Sequence, residues 1–140
     1  MADHISEEKR SWNMSRIRSK NTKPEITVRK YLYSKGFRYR LHNKNLSGKP
    51  DLSNQSKKFA IFVNGCFWHQ HEKCSRASVP KSNKDYWIPK LKRNVERLNN
   101  NVNLLIDMSW KVFVIWECEA KDIENNETIK VILSEYKKSI

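Results

Sequence analysis

The chain has 140 residues, of which 28 are Lys or Arg and 15 Asp or Glu, for a formal charge of +13, with 38% hydrophobic and 11% aromatic residues. That length matches one domain with a real but modest core, and the aromatic content excludes intrinsic disorder. The longest apolar run, Phe59 to Val63, is far shorter than the roughly 20 residues of a membrane-spanning helix, and the opening Met-Ala-Asp-His carries no apolar signal region, so a cytoplasmic protein with no membrane partner is expected. Three cysteines without an export signal point to metal ligation or free thiols, not to a disulfide framework. The charge is uneven: residues 1–100 carry 23 basic and 8 acidic side chains, residues 101–140 carry 5 and 7. Such a field suits a polyanion, and nucleic acid comes first because each neutralised phosphate releases counterions.

In chain order, residues 1–21 are charged and weakly periodic, with Trp12, Met14 and Ile17 as the large apolar groups, and read as an N-terminal arm that orders on a partner. Residues 22–140 read as one domain. Thr22-Lys23-Pro24-Glu25 is a capping box with Pro in the first turn, predicting a helix from Lys23 to Lys35 closed by Gly36. Phe37 to His42 alternates apolar and polar and predicts a half-buried strand with Arg38 and Arg40 on its open face. After a loop over Asn43–Pro50, Asp51 opens a short strand, a polar turn follows, and Phe59–Val63 is a strand buried on both faces, the pair forming the sheet centre. Ile88, Leu91, Val95, Leu98, Val102 and Leu105 recur at steps of three and four along a long helix from about Asp85. Lys111–Trp116 is a second buried strand, and Asn126–Lys138 a final helix with Ile129, Ile132, Leu133 and Tyr136 inward. Alternating helices and strands give an α/β class with a mixed sheet.

The segment Asn64 to Cys74 is dense in metal-ligand types. Cys66, His71 and Cys74 are spaced to wrap one tetrahedral ion, and Cys118 lies just past the strand expected beside this one, so the four make a structural zinc set, the alternative being buried thiols that act as small hydrophobes. His69 is left over: a neutral imidazole near a scissile phosphate can take a proton from water, whereas an inert loop histidine or a further zinc ligand would do none of this. Asp51, at a strand end after Gly48-Lys49-Pro50, is either a hard-oxygen ligand for Mg2+ or a turn residue. Phe67-Trp68 and Tyr86-Trp87 are aromatic pairs among cations, suited to stacking on bases or to core packing, while Trp110, Phe113 and Trp116 read as core.

Gly48-Lys49-Pro50-Asp51, the block from Phe62 to His69, Asn94-Val95-Glu96-Arg97, Val114 to Cys118 and the segment from Asn13-Met14 to Glu25 together resemble the very short patch repair (Vsr) DNA mismatch endonucleases, in order over nearly the whole chain. The resemblance implies a restriction-endonuclease-like, PD-(D/E)xK fold with structural zinc, flanked by helices. It implies a Mg2+-dependent hydrolase that nicks one strand 5′ to the thymine of a T:G mismatch left by deamination of 5-methylcytosine, leaving a 5′-phosphate. On this resemblance Asp51 holds Mg2+ with the Val63 main-chain carbonyl, His69 is the general base, and Glu25 supports the waters around the ion. Cys66, His71, Cys74 and Cys118 hold zinc, Phe67, Trp68 and Trp87 wedge into the duplex, and the arm closes over the minor groove. It further implies a bacterial monomer that meets the nucleoid when acting and is linked to a cytosine-5 DNA methyltransferase and to mismatch repair proteins.

Two positions depart from the pattern. Asn64 stands where the family often has His or Asp near the metal, and Asn can hydrogen-bond water but brings neither charge nor a titrating proton. Leu98 stands where the family has an acid. The acid-X-Lys half of the nuclease motif is missing, as is usual for the family. Two alternatives therefore stand beside the mismatch endonuclease: a zinc-containing mismatch-binding module with a weakened site, and a nicking endonuclease of relaxed specificity.

Overall fold

A computed structural model describes residues 22–139 apart from 73 and 80; the expected arm over 1–21 lies outside the described residues. Helix α1 is Lys23–Ser34, begun by Thr22, whose hydroxyl accepts from the Glu25 N–H at 3.4 Å. The Glu25 side chain is buried and engages Arg29 and His42. The sheet comprises β1 (Arg40–Leu41), β2 (Leu52–Asn54), β3 (Phe59–Asn64) and β4 (Lys111–Trp116), in that spatial order. β1–β2 and β2–β3 pair antiparallel, and β3–β4 pair parallel, so the sheet is mixed. The parallel pair needs a crossover, supplied by α2 (Lys84–Asp107); α3 (Glu127–Lys138) follows a stretch of 3-10 turns over Glu117–Asn125.

Because β3 alternates at period two, its side chains feed two cores. Phe59 and Ile61 join Val28, Leu32, Phe37, Leu52, Ile115, Ile129 and Ile132, which places α1 and α3 on one face. Ala60 and Phe62 join Leu105 and Trp110, with Leu98 and Val102 against them, which places α2 on the other. The result is the expected α/β arrangement of a mixed four-stranded sheet between helices. Among the described residues no helix is long and apolar enough to cross a membrane.

The structure corrects three sequence expectations. The strand expected over Phe37–His42 shrinks to two residues, because β2, its only neighbour among the described residues, is three residues long; Phe37 is fully buried and Leu41 exposed. The stripe on α2 does not include Ile88, which is half exposed; Trp87 is buried in its place, since the first turns of α2 pack on the aromatic rings that follow β3. Phe113 and Trp116 are only partly buried, and of the three aromatics assigned to the core Trp110 alone is buried.

Ile61 sits at the centre of the sheet, opposite Leu52 and Phe113, with no exposed surface. Ile61→Ala is expected to cost about 2–5 kcal/mol, read as a lower urea midpoint with an unchanged slope.

Candidate active site and metal centre

The sheet topology decides what meets what. β3 and β4 run parallel in register, Asn64 beside Trp116, so the segments that follow them leave the sheet at one end. β2 runs the other way, so Asp51, just before it, arrives at that same end. The Val63 N–H donates to Asp51 Oδ2 at 2.7 Å. Residues from α1, the loop before β2, the end of β3 and one side of α2 line a cleft of about 840 Å3, among them Glu25, His42, Asp51, Val63, Asn64, His69, Asn94 and Arg97.

Glu25 is 1% exposed; its Oε2 accepts from Arg29 Nη1 at 3.0 Å and lies 2.9 Å from His42 Nε2. Glu25, His42 and Asp51 offer ligand atoms that all lie within 4.8 Å of one another. Burial pushes the Asp51 carboxyl up to about 7, with the Glu25 charge adding to it and the Val63 N–H acting against it. Two carboxyl groups held together this way disfavour a second negative charge, and a hard cation relieves that conflict.

His69 also lines the cleft. Burial lowers its pKa below the usual 6.5, the Arg97 charge lowers it further, and the Asn94 backbone opposes both. Among the described residues, its buried Nδ1 has no hydrogen-bond partner, nor has the buried Nδ2 of Asn64 or Nε1 of Trp87. Leaving such groups unmet costs about 1–3 kcal/mol each, and two of the three belong to residues that line the cleft, Asn64 and His69. Leu98 contributes an apolar part of that wall while packing against the core under α2. Lys44, Lys49, Lys90 and Arg97 make the cleft basic.

The loop before Asp51 is held by close packing. Gly48 has φ +77, and a Cβ there would lie 2.8 Å from the Asn101 Cβ, while Ser47 Oγ donates to Asn101 Oδ1 at 3.1 Å. This seats the loop on α2 and thereby aims Asp51.

The Cys/His segment after β3 and Cys118 after β4 come together in a second cluster. The ligand atoms of Cys66, His71, Cys74 and Cys118 lie within 4.8 Å of one another. His71 Nδ1 is 3.6 Å from Cys66 Sγ and 3.5 Å from Cys118 Sγ. Tetrahedral zinc, with bonds of about 2.3 Å to sulfur and about 2.0–2.1 Å to nitrogen, requires sulfur–nitrogen separations of about 3.5 Å, so the donor set fits that ion. Burial pushes the Cys66 thiol up to about 12 and raises Cys118 as well, and each sits close to its partner thiols. His71 lies flat on Trp116, centroids 4.2 Å apart and planes 7° apart, which fixes the imidazole.

Between the two centres, Phe67, Trp68 and Trp87 form one cluster with centroids 5.1 to 6.0 Å apart. Phe67 and Trp68 are partly exposed and line the cleft, whereas Trp87 is 1% exposed behind them.

The structure thus brings Glu25, Asp51, Val63, Asn64 and His69 to one cleft and the four zinc-type ligands to one point. Sequence reasoning missed His42, which ends an unremarkable Arg-Leu-His step, and Glu117, whose Oε1 accepts from the Cys66 N–H at 3.3 Å. Arg97 stands in the sequence as the end of the Asn94-Val95-Glu96-Arg97 motif with no role of its own; its place three residues after Asn94 on α2 is the available signal.

Fold and site together define the class: an α/β enzyme with a basic, carboxylate-bearing cleft beside a thiolate–imidazole cluster. The family model described as DNA mismatch endonuclease Vsr matches residues 2–76, and the chain belongs to that family of DNA endonucleases. It is 45% identical over 123 residues to the type II nicking enzyme V.XorIIP of Xanthomonas oryzae pv. oryzae, covering 88% of this chain and 90% of that protein. It is 45% identical over 122 residues to the type II nicking enzyme V.NmeAIP of Neisseria meningitidis, covering 87% and 86%. To the DNA mismatch endonuclease Vsr of Escherichia coli K12 it is 33% identical over 124 residues, covering 89% and 79%.

Proposed function

We propose that this endonuclease nicks duplex DNA 5′ to the thymine of a T:G mismatch, using Mg2+ in the cleft and zinc as a structural clip in a restriction-endonuclease-like fold. The observation that carries this reading is the convergence of Asp51, Glu25 and His69 on one basic cleft. Asp51 and the Val63 carbonyl would hold Mg2+, with Glu25 beside them; oxygen donors of this kind suit that ion. When bound, Mg2+ supplies positive charge that polarises the phosphate and stabilises the charge developing on it.

The chain's own residues do the rest. His69, held neutral by burial and by Arg97, takes the proton from the attacking water on its imidazole ring. Arg97, Lys49 and Lys90 attract and seat the phosphates. Asn64, neutral and buried, orients water or phosphate through its amide and does not titrate. Phe67 and Trp68, exposed at the cleft, wedge beside the mismatch, and Trp87 backs them. Residues 22–140 form the nuclease domain and residues 1–21 the arm that closes on the minor groove. A monomer serving beside a cytosine-5 methyltransferase and the mismatch repair proteins fits the same reading, which rests here on the family resemblance.

The test is strand-specific cleavage of a labelled duplex bearing one T:G mismatch, against its T:A parent, with and without Mg2+. A Mg2+-dependent nick confined to the mismatched thymine strand supports the reading; binding without cutting moves the weight to a mismatch-binding module, and equal cutting of both duplexes to a nicking enzyme of relaxed specificity. In the same assay His69→Ala is expected to slow nicking about 10^2–10^4-fold. Because protonation removes the base and the His69 pKa is lowered, the acid limb of the wild-type rate should fall below pH 6.5 and be absent from the variant.

A further inference from the structure

His42 is the one imidazole of the cleft to which neither the family resemblance nor the proposed chemistry gives a task. Its Nε2 lies 2.9 Å from Glu25 Oε2, and its side chain is 21% exposed against 1% for Glu25. The same Glu25 oxygen takes Arg29 Nη1 at 3.0 Å, so two donors converge on one side of a buried carboxylate, while the carboxylate also meets Asp51. The backbone is bound to the same place: the His42 N–H donates to the Asp51 carbonyl at 3.0 Å. His42 makes both contacts from the left-handed region, at φ 49, a conformation that histidine adopts more readily than most side chains. One residue thus ties the main chain of Asp51 to the side chain of Glu25, two residues otherwise 26 positions apart in the chain.

We propose that His42 is a positioning residue that orients the Glu25 carboxylate so that Glu25 and Asp51 present oxygens to the same divalent cation. This rests on reading the cleft as the Mg2+ site. A positioning role follows from the hydrogen-bond chemistry. A carboxylate that holds a cation is ionised and only accepts, so in that state the 2.9 Å contact calls for the hydrogen on Nε2, and a nitrogen that carries a hydrogen has no lone pair for a metal. Partners that orient metal ligands in this way are worth about 10–100-fold in metal affinity.

The experiment measures Mg2+ and Mn2+ binding to the full-length, zinc-loaded protein by calorimetry, with Mn2+ checked by electron paramagnetic resonance, for wild type, His42→Ala, His42→Gln and Asp51→Asn. Melting temperature and DNA affinity without added divalent ion serve as controls for folding. His42→Ala is expected to weaken both ions about 10–100-fold, and His42→Gln, which restores an N–H donor on a neutral side chain, to recover most of the loss. Unchanged affinities in His42→Ala overturn the proposal. So does a selective loss of Mn2+ in both His42 variants, which would make the imidazole a direct ligand, since nitrogen donors favour Mn2+ over Mg2+. If His42→Ala melts early or loses DNA affinity and His42→Gln does not restore metal binding, the residue is structural and the proposal fails. Asp51→Asn separates the two readings: if it leaves both affinities intact, the ion site itself is misplaced and His42 has nothing to position; if it abolishes binding while His42→Ala does not, only the role of His42 is lost.

Discussion

Asp51→Asn is expected to reduce nicking about a thousandfold or more while leaving duplex binding nearly unchanged. Asn keeps an oxygen to accept the Val63 N–H and removes only the negative charge, so the 2.7 Å contact that seats the strand end survives. What is lost is the charged ligand, and the transition-state stabilisation that a divalent ion provides is several kcal/mol, at about 1.4 kcal/mol per tenfold in rate. Stability should move the opposite way. The Asp51 carboxyl is pushed up to about 7 in the fold, against about 3.9 in an unfolded chain. Between those values the folded state holds the extra proton, so without a divalent cation the wild type loses stability as pH rises from about 4 towards about 7 and levels off above it. Asp51→Asn removes that slope. Urea denaturation at pH 5.5 and pH 8.5 without divalent ions, alongside the cleavage assay, checks both halves. A variant that still nicks at the wild-type rate would remove Asp51 from the chemistry, and an unchanged pH slope would mean that its proton is not linked to folding. The site is then one where function is kept at the cost of stability, as two crowded carboxylates imply.

The second large effect concerns zinc. Purified protein is expected to carry one zinc per chain, and Cys118→Ser to lower both the zinc content and the stability by several kcal/mol. The reasoning is geometric and electrostatic. Four ligand atoms from two chain segments, one after β3 and one after β4, meet within 4.8 Å, so the ion would lock the ends of the parallel strand pair together. Without it, Cys66, pushed up to about 12, and Cys118 remain protonated at neutral pH, and their burial contributes only what small apolar groups would. Binding displaces those protons, so zinc affinity should fall as pH falls. Structural zinc sites are worth about 10–16 kcal/mol in small peptides, comparable with the about 5–15 kcal/mol that holds a whole domain folded. Elemental analysis and melting curves with and without a chelator measure this directly. A zinc-free preparation with the same melting temperature would reduce the cluster to one buried and three partly buried side chains.

Much of this architecture was legible in the linear chain, for reasons that are local. β3, β4, α2 and α3 rest on hydrophobic periodicity, and α1 on Thr22 followed by Pro24 and Glu25; each needs no more than a dozen or so neighbouring residues to declare itself. The zinc-type cluster was readable because three of its members fall within nine residues, and the fourth follows a strand recognisable as the partner of β3. The short edge strand was misjudged because alternation reports which side chains turn inward, and Phe37 does, but not whether a neighbouring strand is long enough to pair. Ile88 was misjudged because the helical period reports a stripe and not what lies beneath each turn.

What the amino-acid order determined by itself is therefore the set of elements, the basic character of the molecule and the chemical types available at its site. Only the tertiary structure decided which of them meet. An antiparallel β2 beside a parallel β3–β4 pair brings Asp51 to the end of the sheet from which the Cys/His segment departs. Burial of Glu25 against His42 and Arg29 turns a helix-capping acid into part of the cleft. Trp87 is withdrawn behind Phe67 and Trp68, and among the described residues His69 keeps a buried ring nitrogen without a hydrogen-bond partner beside a basic cleft. These are contacts between residues up to some 50 positions apart, and their free energies depend on burial and mutual charge, quantities a sequence position acquires only when the chain has closed around it.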